Sequence, residues 1–325
     1  MRSARGLYND VQMSADTTIP TSAQATAVIS TEGLTKYYGR HLGIEALDLE
    51  VSAGEIFGYL GPNGAGKTTT IRILTGFLRA TSGAARVHGL DCWKETVRVK
   101  ARVGFLPDSP SLYEQLTGLE FLDYMSRLQN GGRAGLRDEL CDRLEHSQAD
   151  LRRKIKGYSH GMRKKLAIIQ ATEHDPEVLI MDEPTDALDP LIQQRLFDLL
   201  TELRSRGRTV FFSSHNLAEV ERLCDRVAII RRGRLVTVET VAALRGRKTR
   251  QMDVVLAQDP PVDALLRLPG VLSLERQGRH LRFLVQGDIN PVLRELAKLE
   301  VEDIVFEHPS LEDVFLDYYR TDEPE

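Results

Sequence analysis

A glycine-rich segment that ends in Lys-Thr-Thr constrains the fold of this chain more than any other feature. It follows the apolar run 55–60 and precedes the helical pattern 67–78. Its residues are Gly61, Pro62, Asn63, Gly64, Ala65, Gly66, Lys67, Thr68 and Thr69. They match G-x-x-x-x-G-K-[ST], a pattern that predicts a phosphate-binding loop when it joins a strand to a helix. The context around the motif therefore indicates an α/β fold built about this loop.

The chemistry of such a loop explains its residue types. Glycines let backbone N–H groups turn inward and cradle phosphate oxygens. The N-terminus of the following helix adds partial positive charge. Lys67 can reach the β- and γ-phosphates of a nucleotide as a point charge, and the Thr68 hydroxyl can ligate Mg²⁺. The motif therefore predicts a nucleotide bound together with a magnesium ion.

An acidic pair, Asp182-Glu183, gives the second signal because it directly follows the short apolar run 178–181. A continuous apolar run of this length is typical of a strand buried on both faces. Asp182 at its end suits a partner of Mg²⁺, often through water. Glu183 can polarise a water molecule for attack on the γ-phosphate. Such a pair is common on its own and becomes informative only together with the phosphate-binding loop.

Strand and helix patterns alternate along most of the chain. The apolar runs 209–213 and 226–230 are separated by the helical pattern 217–223. This alternation predicts a parallel sheet covered by helices. The length of 325 residues fits two domains of ordinary size.

Composition excludes several classes of protein. A net charge of −4 does not fit a broadly basic nucleic-acid binder. The cysteines Cys92, Cys141 and Cys224 form no CxxC pair, so we expect no disulfide framework or zinc site and favour a reducing cytosol. No stretch reaches the roughly 18 apolar residues of a membrane helix. Residues 1–28 lack an apolar period and predict a disordered extension.

The sequence pattern changes after about residue 238. A basic stretch around Gly246 is typical of a solvated linker, which we place at 241–251. Beyond it, short patterns follow in the order βαββαβ, with a hairpin turn at Gln277-Gly278. That order is typical of a ferredoxin-like split unit. We therefore predict a first domain over 29–240 and a small α/β domain over 252–325.

Further segments resemble the ATP-binding subunits of ABC transporters, and the resemblance covers about residues 29–238. Tyr38 matches the family's aromatic residue that stacks on adenine, an ordinary core tyrosine being the alternative. The segment 158–162, Tyr-Ser-His-Gly-Met, stands where the family signature Leu-Ser-Gly-Gly-Gln belongs. The segment 186–189, Asp-Ala-Leu-Asp, resembles the D-loop, and Ser214-His215 resembles the switch histidine. The resemblance implies a P-loop NTPase with a RecA-like core, an antiparallel β part and a helical subdomain.

The resemblance also implies ATP hydrolysis with ATP and Mg²⁺ as cofactors. Two cassettes, as a homodimer or a paired cassette, are expected to close head to tail around two ATP molecules. Each ATP would lie on one loop with its Lys67 and be capped by Ser159 and Gly161 of the other subunit. The resemblance gives Glu183 the role of general base and His215 that of its positioning and sensing partner. A link between the two sites is expected from the D-loop residue Asp189.

The sequence departs from the family pattern at two places. Asp108 stands where the family has Gln, and a carboxylate there can still ligate Mg²⁺ with Thr68 and Asp182, although it adds negative charge near the phosphates. His160 and Met162 replace Gly and Gln in the signature. Signatures of the form Tyr-Ser-x-Gly-Met are similar to the branch whose membrane partners are separate ABC-2 type permeases.

This branch sets the partners that we expect. They are a second cassette and a separate ABC-2 type membrane permease, with no nucleic acid. The chain would then be cytoplasmic and peripheral on the inner face of the cell membrane. The segment 110–128 should belong to the helical subdomain that receives a coupling helix of the permease. The ending Pro-Ser-Leu-Glu-Asp-Val-Phe at 309–315 resembles the accessory domain of drug-resistance ATPases, and by itself predicts a capped amphipathic helix.

Two alternatives to export stay open from the sequence. A soluble ABC ATPase acting on ribosomes or DNA generally resembles a double cassette or carries long insertions, whereas this chain has one loop motif and no such insertion. A regulatory, non-hydrolysing subunit would not need Lys67, Asp182, Glu183 and His215, all of which are present. We therefore predict an ATP hydrolase that powers export.

Overall fold

The computed structural model of the protein describes residues 27–129, 135–246, 249–259 and 262–307. The expected disordered extension lies outside these residues except for its last two positions, and the helix predicted at 309–315 lies wholly outside them. Within the described part of the chain, no helix combines the length and the apolar character needed to cross a bilayer.

Strands and helices alternate along the described chain. The strands are β1 (Ala27–Tyr38), β2 (His41–Ser52), β3 (Ile56–Leu60), β4 (Ser82–Val87), β5 (Leu90–Asp91), β6 (Val103–Leu106), β7 (Val178–Asp182), β8 (Thr209–Ser214), β9 (Arg226–Arg231), β10 (Arg234–Thr240), β11 (Thr249–Leu256), β12 (Val271–Gln277), β13 (His280–Gln286) and β14 (Val301–Glu307). The α-helices are α1 (Lys67–Leu74), α2 (Thr96–Lys100), α3 (Gly118–Leu128), α4 (Arg137–Arg143), α5 (Gln148–Leu151), α6 (His160–Thr172), α7 (Pro190–Ser205), α8 (Leu217–Leu223), α9 (Val241–Gly246), α10 (Val262–Leu266) and α11 (Asn290–Leu296).

A six-stranded sheet of order β10-β9-β3-β8-β7-β6 forms the centre of the first unit. All its neighbouring strands are parallel except β9 and β10. Every residue of β3, β7 and β8 is buried, as expected for strands covered by helices on both faces. The parallel sheet predicted from the sequence is confirmed. Because carboxyl ends of parallel strands meet at one edge, β3, β7 and β8 deliver the residues that follow them to the same place.

Two smaller parts flank this sheet. An antiparallel sheet of order β2-β1-β4-β5 packs its apolar side chains with α1 and one side of the central strands. The helices α3 to α6 fall between β6 and β7 and share the other apolar cluster with α7. The start of α3 is fixed by a capping box between Thr117 and Glu120. The antiparallel part and the helical subdomain expected from the resemblance are both present.

The C-terminal unit has the predicted element order βαββαβ. Its sheet has the order β12-β13-β11-β14, and all neighbouring strands are antiparallel. The strand β13 lies between β11 and β12, which is the split arrangement. Its own apolar cluster includes Met252, Phe283 and Leu296. The hairpin between β12 and β13 turns at Gly278, whose φ of 66° suits glycine.

The structure differs from the sequence expectation at the segment 241–251. Its first six residues form α9, and β11 already begins at Thr249. Val241 and Leu244 lie three positions apart, so they share one helix face, and both are buried in the apolar cluster of the first unit. This packing orders a segment whose charges alone predicted a solvated linker. At the other end, β1 begins at Ala27, so the expected extension 1–28 ends inside a strand.

Candidate active site

The loop between β3 and α1 has a backbone path that only glycine permits at several points. Gly64 and Gly66 have φ of 79° and 109°. A Cβ on Gly66 would lie 2.8 Å from the carbonyl oxygen of Gly43, and one on Gly61 would lie 2.4 Å from that of Ile230. Side chains at these positions would force the backbone to move. The glycines therefore let the loop lie directly against neighbouring strands.

A hydrogen bond from a neighbouring hairpin also holds this loop. The turn between β9 and β10 contains Gly233, whose N–H donates to the carbonyl oxygen of Ala65 at 2.9 Å. On the other side, the N–H of Gly61 donates to the carbonyl oxygen of Ser214 at 3.3 Å, at the end of β8. The loop is thus fixed from two strands of the central sheet before any ligand binds.

Lys67 is buried at the first position of α1. Its Nζ donates to the carbonyl oxygen of Gly61 at 2.6 Å and lies 3.0 Å from Oε1 of Glu183. The first N–H groups of a helix have no partner within the helix and carry partial positive charge. The ammonium and the start of α1 together make this loop a site for an anion.

The two predicted magnesium ligands, Thr68 and Asp182, are neighbours at the start of α1 and the end of β7. Ser213 Oγ donates a hydrogen bond to Oδ1 of Asp182 at 2.5 Å. Burial raises the pKa of Asp182, while the hydrogen bonds from Ser213 and Thr68 oppose this rise. A hydroxyl and a carboxylate from two elements are therefore assembled as oxygen ligands suited to Mg²⁺.

Glu183 lies between a cation and a histidine. One carboxylate oxygen faces Lys67, and the other, Oε2, lies 2.9 Å from Nδ1 of His215. The backbone of Glu183 has a φ of 47°, which is uncommon outside glycine, and its N–H donates to Ser213 Oγ at 3.1 Å. The side chain of Glu183 is only 10% exposed, whereas that of His215 is 50% exposed. The imidazole can therefore orient a buried carboxylate while it remains in contact with solvent.

A second group in the described residues could also hold a metal ion. Ligand atoms of Glu183, Asp186 and His215 lie within 4.8 Å of one another. Imidazole favours transition metals, whereas Mg²⁺ favours hard oxygen ligands. The pair of Thr68 and Asp182 therefore fits Mg²⁺ better than this second group.

A cavity of about 280 Å³ brings the loop together with Glu183, whereas Asp182 and His215 lie outside its lining. It is lined by Tyr38, Leu42, Gly43, Pro62, Asn63, Gly64, Gly66, Lys67, Thr68, Thr69, Asp108 and Glu183. Tyr38 is 45% exposed, and its hydroxyl lies 3.3 Å from Oγ1 of Thr69. The cavity thus joins an open aromatic ring, a phosphate-binding loop and the predicted base. Leu42 and Gly43 are lining residues that the sequence motifs did not indicate.

Three predicted site residues lie elsewhere. Ser159 caps α6 by accepting a hydrogen bond from the N–H of Met162 at 3.2 Å. Asp189 caps α7 in the same way, accepting from the N–H of Ile192 at 3.0 Å. Gly161 packs beside the D-loop segment, since a Cβ there would lie 2.9 Å from the carbonyl oxygen of Ala187. None of Ser159, Gly161 and Asp189 lines the cavity of its own chain.

Two further residues contact the predicted site residues, although the sequence did not indicate a role for them. Ser213 contacts Asp182 and the backbone of Glu183, as described above, and pairs with Asp182 in the register of β7 and β8. Lys164 on α6 is 1% exposed, and its Nζ donates to the carbonyl oxygen of Asp108 at 2.9 Å. Ser213 had a signal in the sequence, because the adjacent strands 178–182 and 209–214 both end in polar residues. Lys164 had none, because basic residues are common on helices.

Comparison with known proteins agrees with this geometry. The chain matches the family model for ABC transporters over residues 44–186 and that for the C-terminal domain of DrrA1-3-like ATP-binding proteins over residues 240–319. It is 35% identical over 304 residues to the daunorubicin resistance ATP-binding protein DrrA3 of Streptomyces coeruleorubidus, covering 90% of this chain and 96% of that protein. The chain belongs to the ATP-binding subunits of ABC transporters. Cassettes of this family are ATPases, so this ABC subunit is an ATP hydrolase.

Other relatives of this ABC subunit give the same result. The bacitracin transport ATP-binding protein BcrA of Bacillus licheniformis is 32% identical over 300 residues, covering 90% of this chain and 97% of that protein. A solved ATP-binding subunit of an ABC transporter matches with a TM-score of 0.63 and 28% identity, covering 67% of this chain and 92% of that chain. A dimeric cassette with ADP and Pi matches with a TM-score of 0.61 and 22% identity, covering 66% and 98% respectively, which shows the fold alone. The predicted family and the P-loop NTPase fold are confirmed.

Proposed function

We propose that this ABC subunit binds Mg-ATP as one of two paired cassettes and drives export through a separate membrane permease. The proposal depends on one observation: some predicted site residues line the cavity, and others lie outside it. The cavity contains the phosphate-binding loop, Lys67 and Glu183, whereas Ser159 and Gly161 of the signature lie outside it. A second cassette that placed its own signature over the cavity would complete the site.

The contacts around Glu183 support a role for this carboxylate in hydrolysis. Lys67 pairs with Glu183, but a bound triphosphate offers Lys67 a stronger acceptor. Once Lys67 turns to the phosphates, Oε1 of Glu183 is available to accept a proton from water, while His215 still orients Oε2. Thr68 and Asp182 would hold Mg²⁺, directly or through water, with Asp108 as a further candidate ligand at the cavity wall. The magnesium ion would neutralise charge on the β- and γ-phosphate oxygens.

The N-terminus of α6 supports a role for the signature residues at the ATP site of the other cassette. Its 13 residues form a full helix whose N-terminus carries Ser159 and Gly161. Such an end offers N–H groups and partial positive charge to a phosphate. The D-loop segment 186–189 packs beside it, so Asp189 would lie at the same cassette interface. Closure of two cassettes would exclude water from both ATP molecules.

Export through a permease is supported by the relatives and by one surface of the helical subdomain. The relatives are named for daunorubicin resistance and bacitracin transport. A pocket of about 410 Å³ lies beside Tyr113, Leu116 and Tyr124. The rings of Tyr113 and Tyr124 meet edge to face at 5.7 Å, and both are exposed. We assign this pocket to a coupling helix of the permease, which would hold the subunit at the cytoplasmic face of the membrane.

Loss of permease binding is expected when the tyrosine pocket is made acidic. A permease encoded beside this subunit should co-purify with the wild-type chain, but not with Tyr113→Glu, because the helix would then meet a charge in place of an aromatic ring of the pocket. The measurement is pull-down from detergent extract, together with the basal ATPase rate, which should be retained. Tyr37→Glu, at an exposed tyrosine outside this pocket, is the matched control for binding. Co-purification of ribosomes instead of a membrane protein would support the soluble alternative and contradict export.

Weaker ATP binding is expected for Tyr38→Ala. Base–aromatic stacking contributes about 1–3 kcal/mol, which corresponds to roughly 5- to 150-fold in the Kd for ATP. Tyr38→Phe should bind ATP within about threefold of wild type, since the stacking ring is kept and only the hydroxyl contact to Thr69 is lost. Fluorescence titration with a labelled ATP measures both variants. Equal affinities for wild type and Tyr38→Ala would show that this ring does not contact adenine.

A further inference from the structure

The ring of Tyr38 is held from three sides. Nζ of Lys36 lies over the ring, 5.5 Å from its centroid. At the hydroxyl end of the ring, the Tyr38 oxygen lies 3.3 Å from Oγ1 of Thr69. At the ring edge, a Cβ on Gly43 would lie 2.9 Å from Cε2 of Tyr38, so a larger residue there would displace the ring. An exposed aromatic side chain is thus fixed in one orientation.

Lys36 is itself anchored to a distant part of the chain. Its Nζ donates to the carbonyl oxygen of Arg79 at 2.8 Å, and Arg79 lies 43 positions away, between α1 and β4. In the same segment, Thr81 Oγ1 accepts a hydrogen bond from the N–H of Tyr37 at 3.0 Å. The ammonium of Lys36 is therefore fixed by a backbone carbonyl while it lies over the ring.

The position of this ammonium matters because aromatic faces attract cations. A cation within about 6 Å of a ring centroid interacts favourably with the negative face of the ring. Tyr38 lines the nucleotide cavity, whereas Lys36 is not among the lining residues. The ammonium therefore reaches the ring from outside the cavity, and its shortest route to a bound nucleotide is through Tyr38.

We propose that Lys36 is a positioning residue that fixes the ring of Tyr38 as a stacking surface for the base of ATP. This inference rests on the proposed function, in which Tyr38 contacts adenine. A ring that is already immobile loses little side-chain freedom when a base stacks on it, so binding costs less. The cation holds one face of the ring and leaves the other face to a flat base.

Replacing Lys36 with Met tests the role of the cation. Met keeps much of the apolar stem, but it carries no charge over the ring and cannot donate to Arg79. Lys36→Met should raise the Kd for ATP by about two- to fivefold, the range expected for an exposed cation–π interaction. Lys36→Arg should stay within about 1.5-fold of wild type, since a guanidinium can also lie over an aromatic face and donate a hydrogen bond. Labelled-ATP titration at constant ionic strength measures both variants.

A double-mutant cycle with Tyr38→Ala shows whether Lys36 acts through the ring. In the Tyr38→Ala background, Lys36→Met should change the Kd for ATP by less than about 1.5-fold, because the ring that the ammonium holds is gone. An equal loss with and without the ring would mean that Lys36 acts on ATP directly or on the fold. That result would overturn the proposal.

Inorganic tripolyphosphate separates binding of the base from binding of the phosphates. It carries a phosphate chain without a base, and its affinity is measured by displacement of labelled ATP. Its inhibition constant should agree within about 1.5-fold between wild type and Lys36→Met, because it offers no base to stack on Tyr38. Weaker binding of tripolyphosphate in Lys36→Met would instead show a general attraction between charges and would contradict the positioning role.

Lys100 provides the matched control. Its Nζ also lies over an aromatic ring, 4.0 Å from the centroid of Phe77, and neither of these residues lines the cavity. Lys100→Met removes the same charge and the same kind of contact. It should leave the Kd for ATP within about 1.5-fold of wild type.

The variants also keep this inference distinct from the proposed function. If Tyr38→Ala bound ATP as tightly as wild type, the proposed adenine contact would be wrong, and the role of Lys36 would fall with it. If Tyr38→Ala weakened binding while Lys36→Met did not, the adenine contact would stand and only the role of Lys36 would be wrong.

Discussion

Replacing Glu183 with Gln is expected to lower the kcat of ATP hydrolysis by about 100-fold or more, the usual size of general-base catalysis. The amide keeps the shape of the side chain but cannot accept a proton from water. The affinity of the variant for ATP should remain within about threefold of wild type, since Lys67, rather than Glu183, would contact the phosphates. Phosphate release under saturating Mg-ATP measures kcat, and labelled-ATP titration measures affinity.

Glu219 offers a matched control for Glu183. It is another buried glutamate near the end of β8, and its Oε2 accepts a hydrogen bond from Ser214 at 2.8 Å. Burial raises the pKa of Glu219, so a neutral Gln resembles its protonated form. Glu219→Gln should therefore change kcat by less than about threefold. Hydrolysis by Glu183→Gln at the wild-type rate would show that another group is the base.

Replacing Lys67 with Met is expected to raise the Kd for ATP by about 10- to 150-fold, which corresponds to the roughly 1.5–3 kcal/mol of a hydrogen bond to a charged group. Met preserves the apolar stem of the buried side chain, so the change removes mainly the ammonium beside Gly61 and Glu183. Titration with labelled ATP at constant ionic strength provides the measurement.

The control for Lys67 is a lysine of the same chemistry outside the cavity. Lys94 is 81% exposed and pairs with Asp91 on the surface. Lys94→Met should leave the Kd for ATP within about twofold, because exposed pairs of this kind contribute little. Unchanged affinity in Lys67→Met, with wild-type thermal stability, would show that the ammonium does not bind the phosphates.

Local patterns made much of the nucleotide side of the site predictable. The loop 61–69 is a continuous motif. A Cβ on Gly61 or Gly66 would lie too close to a neighbouring carbonyl oxygen, and Gly64 has a positive φ. Asp182 follows an apolar run that had to be a strand buried on both faces. Because parallel strands end at one edge, the meeting of this acid with the loop followed from the fold.

Contacts between distant segments were not predictable in the same way. Lys164 and Asp108 are 56 positions apart, and their contact depends on how α6 packs against the loop after β6. Nothing in the local pattern distinguishes Lys164 from the partly exposed Lys165 that follows it. Ser213 lies 31 positions from Asp182, and its role depends on the pairing of β7 with β8.

The segment 241–251 shows how tertiary packing can override local charge. Its basic residues favoured a solvated linker, yet the buried faces of Val241 and Leu244 make its first part a helix. For the C-terminal unit, the order βαββαβ was readable from short patterns. Its strand order β12-β13-β11-β14 was not, since that order is set by pairing between strands distant in sequence.

The left-handed backbone of Glu183 places its proposed catalytic role and the stability of the fold in conflict at one position. A non-glycine residue with such a φ costs about 1–3 kcal/mol, a considerable part of the stability of an ordinary domain. Selection for thermal robustness alone would favour glycine here, which relieves the backbone but removes the carboxylate. Engineering of more heat-resistant forms of this protein should therefore leave this position fixed and seek its gains in the surface loops.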